Sequence, residues 1–288
     1  MSDYANSEVL VSTAWVAEHG RDPGIRIVEV DVDTTSYAQG HVDGAIGWNW
    51  QTELQDSIRR DILDPKGFAA LMRRSGITND TTVVLYGDNN NWFACWALWL
   101  LSYYGHSKLR LMNGGRKKWI EEKRPLSAKA EPVTAVSNYA VPTPNLDLRA
   151  RRDHIFAVLE GQRPSQLVDV RSPDEFTGKV IAPPGMTETA QRGGHIPGAR
   201  SIPWSTAVNP NGTFKSGDDL HSIYIGQKGV DPAKSTIAYC RIGERSSHTW
   251  FVLKYLLGLD NVKNYDGSWT EYGSIVAAAI EKGEPAAR

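Results

Sequence analysis

Gly194-His195-Ile196-Pro197-Gly198-Ala199 has a counterpart far upstream in Gly40-His41-Val42-Asp43-Gly44-Ala45, at an offset of 154 (195 − 41). An apolar run closing on charged residues precedes each motif: Leu167-Val168-Asp169-Val170-Arg171 in one case, Ile27-Val28-Glu29-Val30-Asp31 in the other. Further on, Asp266-Gly267-Ser268-Trp269 answers to Asn113-Gly114-Gly115-Arg116, at an offset of 153 (267 − 114). Offsets that stay nearly constant across several landmarks point to a duplicated domain.

Within each half, Val/Ile/Leu-rich runs such as Thr82–Tyr86 alternate with helical patterns such as Phe68–Arg74 and Trp92–Tyr104. That alternation predicts α/β domains, each a mainly parallel sheet flanked by helices. The stretch from Arg124 to Pro144 is rich in Pro, Ala, Ser and Thr, which makes it the expected linker. The division is therefore 1–123, a linker at 124–145, and 146–288.

Composition removes several classes of function. Lys+Arg 32 against Asp+Glu 33 in 288 residues leaves no basic field for nucleic acid. The apolar Trp92–Tyr104 stretch is too short to span a bilayer, so no membrane partner is expected. The first residues have neither a basic region nor an apolar core, so no signal peptide is visible and a cytoplasmic home is expected. The cysteines are Cys95 and Cys240, and neither forms a Cys-x-x-Cys pair. A structural metal site and a disulfide framework are both disfavoured.

The chemistry concentrates in Cys240-Arg241-Ile242-Gly243-Glu244-Arg245-Ser246. Thr236–Tyr239 before it reads as a buried strand, and Ser247–Leu257 after it as an amphipathic helix closed by Gly258. The loop N–H groups and the helix N-terminus would converge on Cys240 and favour its thiolate, the nucleophilic form. In parallel sheets, ligands bind outside the carboxyl ends of the strands. Cys240 ends one strand and Asp169-Val170-Arg171 another, so both should meet the same rim. In the first half the offset lands on Gly87-Asp88, which cannot carry sulfur, so that half is expected to be catalytically inactive. The second half also has a longer stretch between Arg171 and His195, containing Pro183-Pro184-Gly185 and ending in Arg192-Gly193-Gly194. A loop of this kind beside a reactive rim shapes access to it.

Together the two Gly-His-x-x-Gly-Ala motifs, the cysteine loop and Tyr265-Asp266-Gly267-Ser268-Trp269 resemble the tandem-domain rhodanese (thiosulfate sulfurtransferase) family, over nearly the whole chain. The resemblance implies two rhodanese-like domains and a ping-pong reaction. Sulfane sulfur passes from an anionic donor to Cys240, then from the persulfide to a thiophilic acceptor such as cyanide. It implies that the N–H groups of Arg241 to Ser246, including those of Ile242, Gly243 and Glu244, stabilise thiolate and persulfide. Arg241 and Arg245 would help bind the donor, and Glu244 would oppose them. Asp169, Arg171, Glu175 and Trp269 form the supporting rim. The covalent persulfide removes any need for a cofactor. Two positions depart from the pattern of the animal enzymes: Ile242 stands where they have a basic residue, and Glu175 where they have an arginine. Arg245 is expected to take over the missing anion-binding task.

Three rival functions remain. Mercaptopyruvate sulfurtransferases have small uncharged loops, and this loop is charged. Rhodanese-like phosphatases and arsenate reductases need five residues between Cys and Arg, and here four separate Cys240 from Arg245. A persulfide carrier serving a protein partner would share the first step. The blander expectations are that Cys95, Trp96 and Trp99 belong to the core. His41, His195 and His248 are expected to pack rather than react.

Overall fold

The computed structural model describes residues 4–186 and 188–283. They separate into two compact units, one of residues 8–146 and 209–214, the other of residues 4–7, 147–208 and 215–283. The strands of the first unit are Leu10–Val11 (β1), Ile25–Asp31 (β2), Ala45–Asn49 (β3), Gln55–Asp56 (β4), Asp61–Ile62 (β5), Thr82–Tyr86 (β6) and Leu109–Met112 (β7). Among the described residues, five of these form a parallel sheet in the order β1-β7-β6-β2-β3, while β4 and β5 pair as an antiparallel ribbon. The second unit holds Arg149–Ala150 (β8), Ser165–Asp169 (β9), Arg200–Ser201 (β10), Ser235–Tyr239 (β11) and Val262–Tyr265 (β12). These are parallel too, in the order β10-β9-β11-β12-β8. The α/β architecture expected from the sequence is the one observed.

Central strands covered on both faces must be apolar along their length, and β6 and β11 are. Val83 to Tyr86 and Thr236 to Tyr239 are all buried. The helix Trp92–Tyr103 is apolar on nearly every side and sits in the core accordingly. Helix Pro65–Arg74 starts at Asp64, whose carboxylate accepts from Gly67 N at 2.6 Å, and it buries Phe68, Ala69, Leu71 and Met72. Among the described residues, no helix is long and apolar enough to cross a membrane.

The two units repeat each other down to single contacts. His41 pairs with Ser127 and His195 with Glu281, in matching antiparallel bridges. Each ring bonds a backbone carbonyl through Nδ1 at 2.8 Å, His41 that of Tyr37 and His195 that of Phe176. The rings stack on those same residues at 3.9 and 3.6 Å. Both histidines are packing residues. Residues 124–145 lie along the first unit, where Ser127 holds His41, Asn79 holds Ala140 and Tyr139 is buried.

Candidate active site

Strand β11 ends at Tyr239 and delivers Cys240 to the carboxyl edge of the second sheet. The register pairs Tyr239 with Asp169, so the ends of β11 and β9 lie side by side. After Cys240 the chain turns at Gly243, whose φ is 103°. A Cβ there would come within 3.0 Å of the Asp266 backbone, so a side chain has neither the conformation nor the room. Helix Glu244–Phe251 follows, and the chain then widens into a π turn over Val252–Leu256 before Gly258.

A turn from β12 clasps the cysteine backbone. Cys240 N donates to Ser268 Oγ at 3.1 Å, while its carbonyl accepts from Trp269 N at 3.0 Å. Ser268 holds a left-handed φ of 53° and donates onward to Tyr265 O at 2.7 Å. With its backbone satisfied, Cys240 offers its sulfur to the loop. Gly243 N donates to Sγ at 3.1 Å, Ser246 Oγ lies 3.6 Å away, and Sγ is 3.2 Å from Glu244 Oε2. Ser246 Oγ also donates to Asn264 Oδ1 at 2.6 Å, which fixes its rotamer.

The sulfur is 0 % exposed. Burial pushes the Cys240 thiol above its ordinary value, and the Glu244 carboxylate adds to that; Arg245 and Ser246 pull the other way without prevailing. The thiolate expected from the sequence is thus opposed by desolvation and a facing carboxylate, while loop dipoles and guanidinium groups favour it.

The charged residues of the loop meet as pairs. Arg245 forms a bidentate bond to Glu175, with Nη1–Oε2 at 2.8 Å and Nη2–Oε1 at 3.0 Å, and its Nε lies 3.6 Å from Glu244 Oε1. Arg241 Nη1 donates to the Glu188 carbonyl, and Nη2 lies 3.8 Å from Glu244 Oε1. Burial works to raise the Glu175 carboxyl, but its bonds to Arg245 win and hold it below the usual carboxylate range. Glu175 is itself fixed by a capping box with Ser172. Arg245, expected to bind the donor, is thus committed to the carboxylate at the other departing position.

Asp169 and Arg171 pair at 2.6 Å, and Arg171 stacks over Trp269 with its guanidinium carbon 4.6 Å from the ring centroid. Asp169, Arg171, Glu175 and Trp269 are all buried, however, so they underlie the site instead of rimming it. Paired charges can be buried where single ones cannot. Sequence reasoning gave no role to Ser268, Asn264, Glu188 or Arg192. Ser268 could have been found from its repeat partner, Gly115, which has no side chain. Burial drives His248 down to about 3, so the ring stays neutral; it packs edge-on to Trp204 with centroids 5.7 Å apart. Cys95 is buried and its thiol is pushed well up by desolvation. Among the described residues, no group of three or more His, Cys, Asp or Glu is placed to hold a metal ion.

The rhodanese-like domain model matches this chain twice, over residues 12–122 and 157–274. The chain belongs to the rhodanese family. A Haloferax volcanii protein named "Putative thiosulfate sulfurtransferase" is 52% identical over 287 residues, covering 98% of this chain and 99% of that one. The sulfur carrier protein TtuD of Thermus thermophilus is 53% identical over 286 residues, with the same coverage. Among solved rhodanese-like folds, YnjE superposes with a TM-score of 0.85 at 25% identity, covering 98% of this chain and 70% of that one. Wild-type EanB superposes with a TM-score of 0.86 at 25% identity, covering 99% and 72%.

Proposed function

We propose that this rhodanese takes sulfane sulfur from thiosulfate onto Cys240 as a persulfide and passes it to cyanide or another thiophilic acceptor. The observation that carries the reading is the placement of Cys240 Sγ. It stands at the end of β11 within a loop that turns the Gly243 and Ser246 backbone N–H groups toward it. Cys240 sulfur bonds to the sulfane sulfur as the S–S bond of thiosulfate breaks, and sulfite leaves with the bonding electrons. The two donors stabilise negative charge on Sγ and on the persulfide that follows. Sulfur travels covalently, so no cofactor takes part.

The names of the Haloferax volcanii and Mycolicibacterium smegmatis relatives, at 52% and 54% identity, support thiosulfate as donor. Residues 146–288 form the catalytic domain and residues 1–123 an inactive scaffold, because Gly87 stands where the repeat would place Cys240; residues 124–145 link them. The protein works in the cytoplasm, with neither nucleic acid nor membrane as partner. A mercaptopyruvate donor suits a loop without charges. A phosphatase or arsenate reductase would need an arginine turned onto an oxyanion, and Arg245 is bonded to Glu175.

Intact mass after thiosulfate treatment tests the reading. The protein is expected to gain one sulfur atom, lose it to cyanide, and gain none as Cys240→Ser; no gain in the wild type sinks it. A second reading, delivery of the same persulfide to an acceptor protein, is supported by the carrier name of the Thermus thermophilus relative. A mixed disulfide trapped at Cys240 would reveal such a partner.

A further inference from the structure

Glu244 divides its two oxygens between different tasks. Oε1 faces Arg241 Nη2 at 3.8 Å and Arg245 Nε at 3.6 Å, while Oε2 lies 3.2 Å from Cys240 Sγ. Two guanidinium groups thus fix the carboxylate and leave its second oxygen turned to the sulfur. Of the groups bonded to Sγ among the described residues, the Gly243 and Ser246 backbone N–H groups are donors, and Glu244 is the base. Hydrogen-bond reach between a thiol and a carboxylate is the geometry that proton transfer requires.

We propose that Glu244 accepts the Cys240 proton as sulfur is loaded and keeps it for as long as the persulfide exists. The inference rests on the persulfide reading above. In loading, the thiol, the Glu244 carboxylate and thiosulfate become the persulfide anion, the Glu244 carboxylic acid and sulfite. In unloading, cyanide takes the outer sulfur and leaves as thiocyanate, and the proton returns from Glu244 to Sγ. Atoms and charge balance in both steps without any further reactant.

The arrangement keeps the buried charge constant. An empty site holds a neutral thiol and one carboxylate; a loaded site holds one persulfide anion and a neutral acid. Cys240 and Glu244 together carry a single negative charge in either state, beside the Glu175 charge that Arg245 already binds. Adding a second buried anion would cost several kcal/mol, and the proton shift avoids it. The surrounding charges are already matched: Glu175 binds Arg245, Asp169 binds Arg171, and Asp266 behind Gly243 binds Arg149 at 2.8 Å. His248 on the same helix is held neutral against Trp204.

Glu244→Gln keeps the shape and removes the base. At pH 7 this variant is expected to take sulfur from thiosulfate on the order of 10²-fold more slowly, the lower end for a lost general base. Its rate should climb about tenfold per pH unit as hydroxide replaces the carboxylate, while the wild-type rate stays level. Glu244→Asp, which keeps a carboxylate, should recover part of the rate. Difference infrared spectra should show a carboxylic-acid carbonyl band on loading the wild type, lost again on adding cyanide. Equal rates and pH profiles in wild type and Glu244→Gln, or a loaded wild type lacking that band, overturn the proposal. Should the wild type take no sulfur from thiosulfate, the donor reading fails, and Cys240 alkylation by iodoacetamide decides about Glu244 by itself. Alkylation at pH 7 at least about tenfold slower in Glu244→Gln supports the base role; equal rates overturn it, and so do faster ones, which would mean that the carboxylate only raises the thiol.

Discussion

The Cys240 loop and its repeat at Gly87 share backbone anchors but use their side chains for different ends. In both, the residue after the second glycine turn donates to the loop's first carbonyl: Trp269 N to Cys240 O and Arg116 N to Gly87 O. In both, a tyrosine hydroxyl at the strand end accepts from the Gly-His turn, Tyr239 from Ile196 N and Tyr86 from Val42 N. The difference lies in who serves the loop's first N–H. Asn91 Oδ1 accepts it from Gly87 at 3.0 Å in the first unit. In the second, Ser268 takes that duty, and Glu244, which matches Asn91 in the repeat (244 − 153), turns to the sulfur instead. One serine releases one carboxylate for chemistry. The first unit also has no room for a cysteine, because a Cβ on Gly87 would sit 2.4 Å from Val30 O.

The charge pairs show a second exchange. The register matches Glu29 to Tyr86 and Asp169 to Tyr239, which aligns Asp31 with Arg171. Arg171 stays on its own strand end and binds Asp169, whereas Asp31 has no such charge and Arg116 reaches Glu29 from the far helix at 2.9 Å. Burial pushes Asp31 up to about 8, against the hydrogen bond it accepts from Asp88 N and with the charge of Glu29 adding to the rise.

The largest effect that would sharpen the contrast comes from Arg245, whose counterpart in the first unit is Trp92 (245 − 153). Arg245→Ala leaves Glu175 buried without its cation and is expected to cost about 3–5 kcal/mol in denaturant unfolding. Because Glu175 is depressed when folded, its contribution is present above its ordinary value of 4.5 and fades as pH falls below it. A loss under 1 kcal/mol would mean the pair is solvated in solution.

Next comes His248, which corresponds to Cys95 (248 − 153). A buried histidine held down to about 3 gives full stability above 6.5 and loses it progressively on acidification. The wild type should lose roughly 2–3 kcal/mol from this group between pH 6.5 and 4.5, and His248→Cys should flatten that part of the curve. An unchanged acid limb in the variant would refute the assignment.

The smallest is Ser268→Gly, which copies Gly115. Orphaning the Cys240 N–H costs ~1–3 kcal/mol, and a glycine at φ 53° recovers part of it. A net loss of about 1 kcal/mol is expected in thermal unfolding, together with slower sulfur loading as Glu244 turns back to the backbone. Unchanged stability and loading would show that Ser268 and Asn91 do not exchange duties.

Much of this was legible in the chain. β6 is legible to the residue because Thr82–Tyr86 is a continuous run of β-branched, leucine and tyrosine residues, and the duplication stands out through glycines such as Gly44 and Gly198, which left-handed turns demand. Cys240 was legible from its place between a strand and a helix. The direction of Glu244 was not, since it depends on a serine 24 residues on (268 − 244) that takes over a backbone N–H. The Arg245–Glu175 pair joins residues 70 apart, and no local pattern encodes such a distance. Asp169 and Arg171 looked like rim residues because charge normally means water; mutual pairing puts them inside.

The insert between Arg171 and His195 is held by main-chain oxygens. Arg241 grips Glu188 O, Trp269 Nε1 grips Arg192 O at 2.9 Å, and Arg171 Nη2 grips Gly194 O at 2.7 Å. Carbonyls are the same whatever side chain they carry. These three anchors survive side-chain changes within the segment, whereas the Arg192 guanidinium bonds to Gly273 O, Ile275 O and Ala278 O do not, and Val180, Ile181 and Met186 stand exposed there. Those exposed positions are where selection, or a protein engineer, can alter the segment while leaving Cys240 and its cradle untouched.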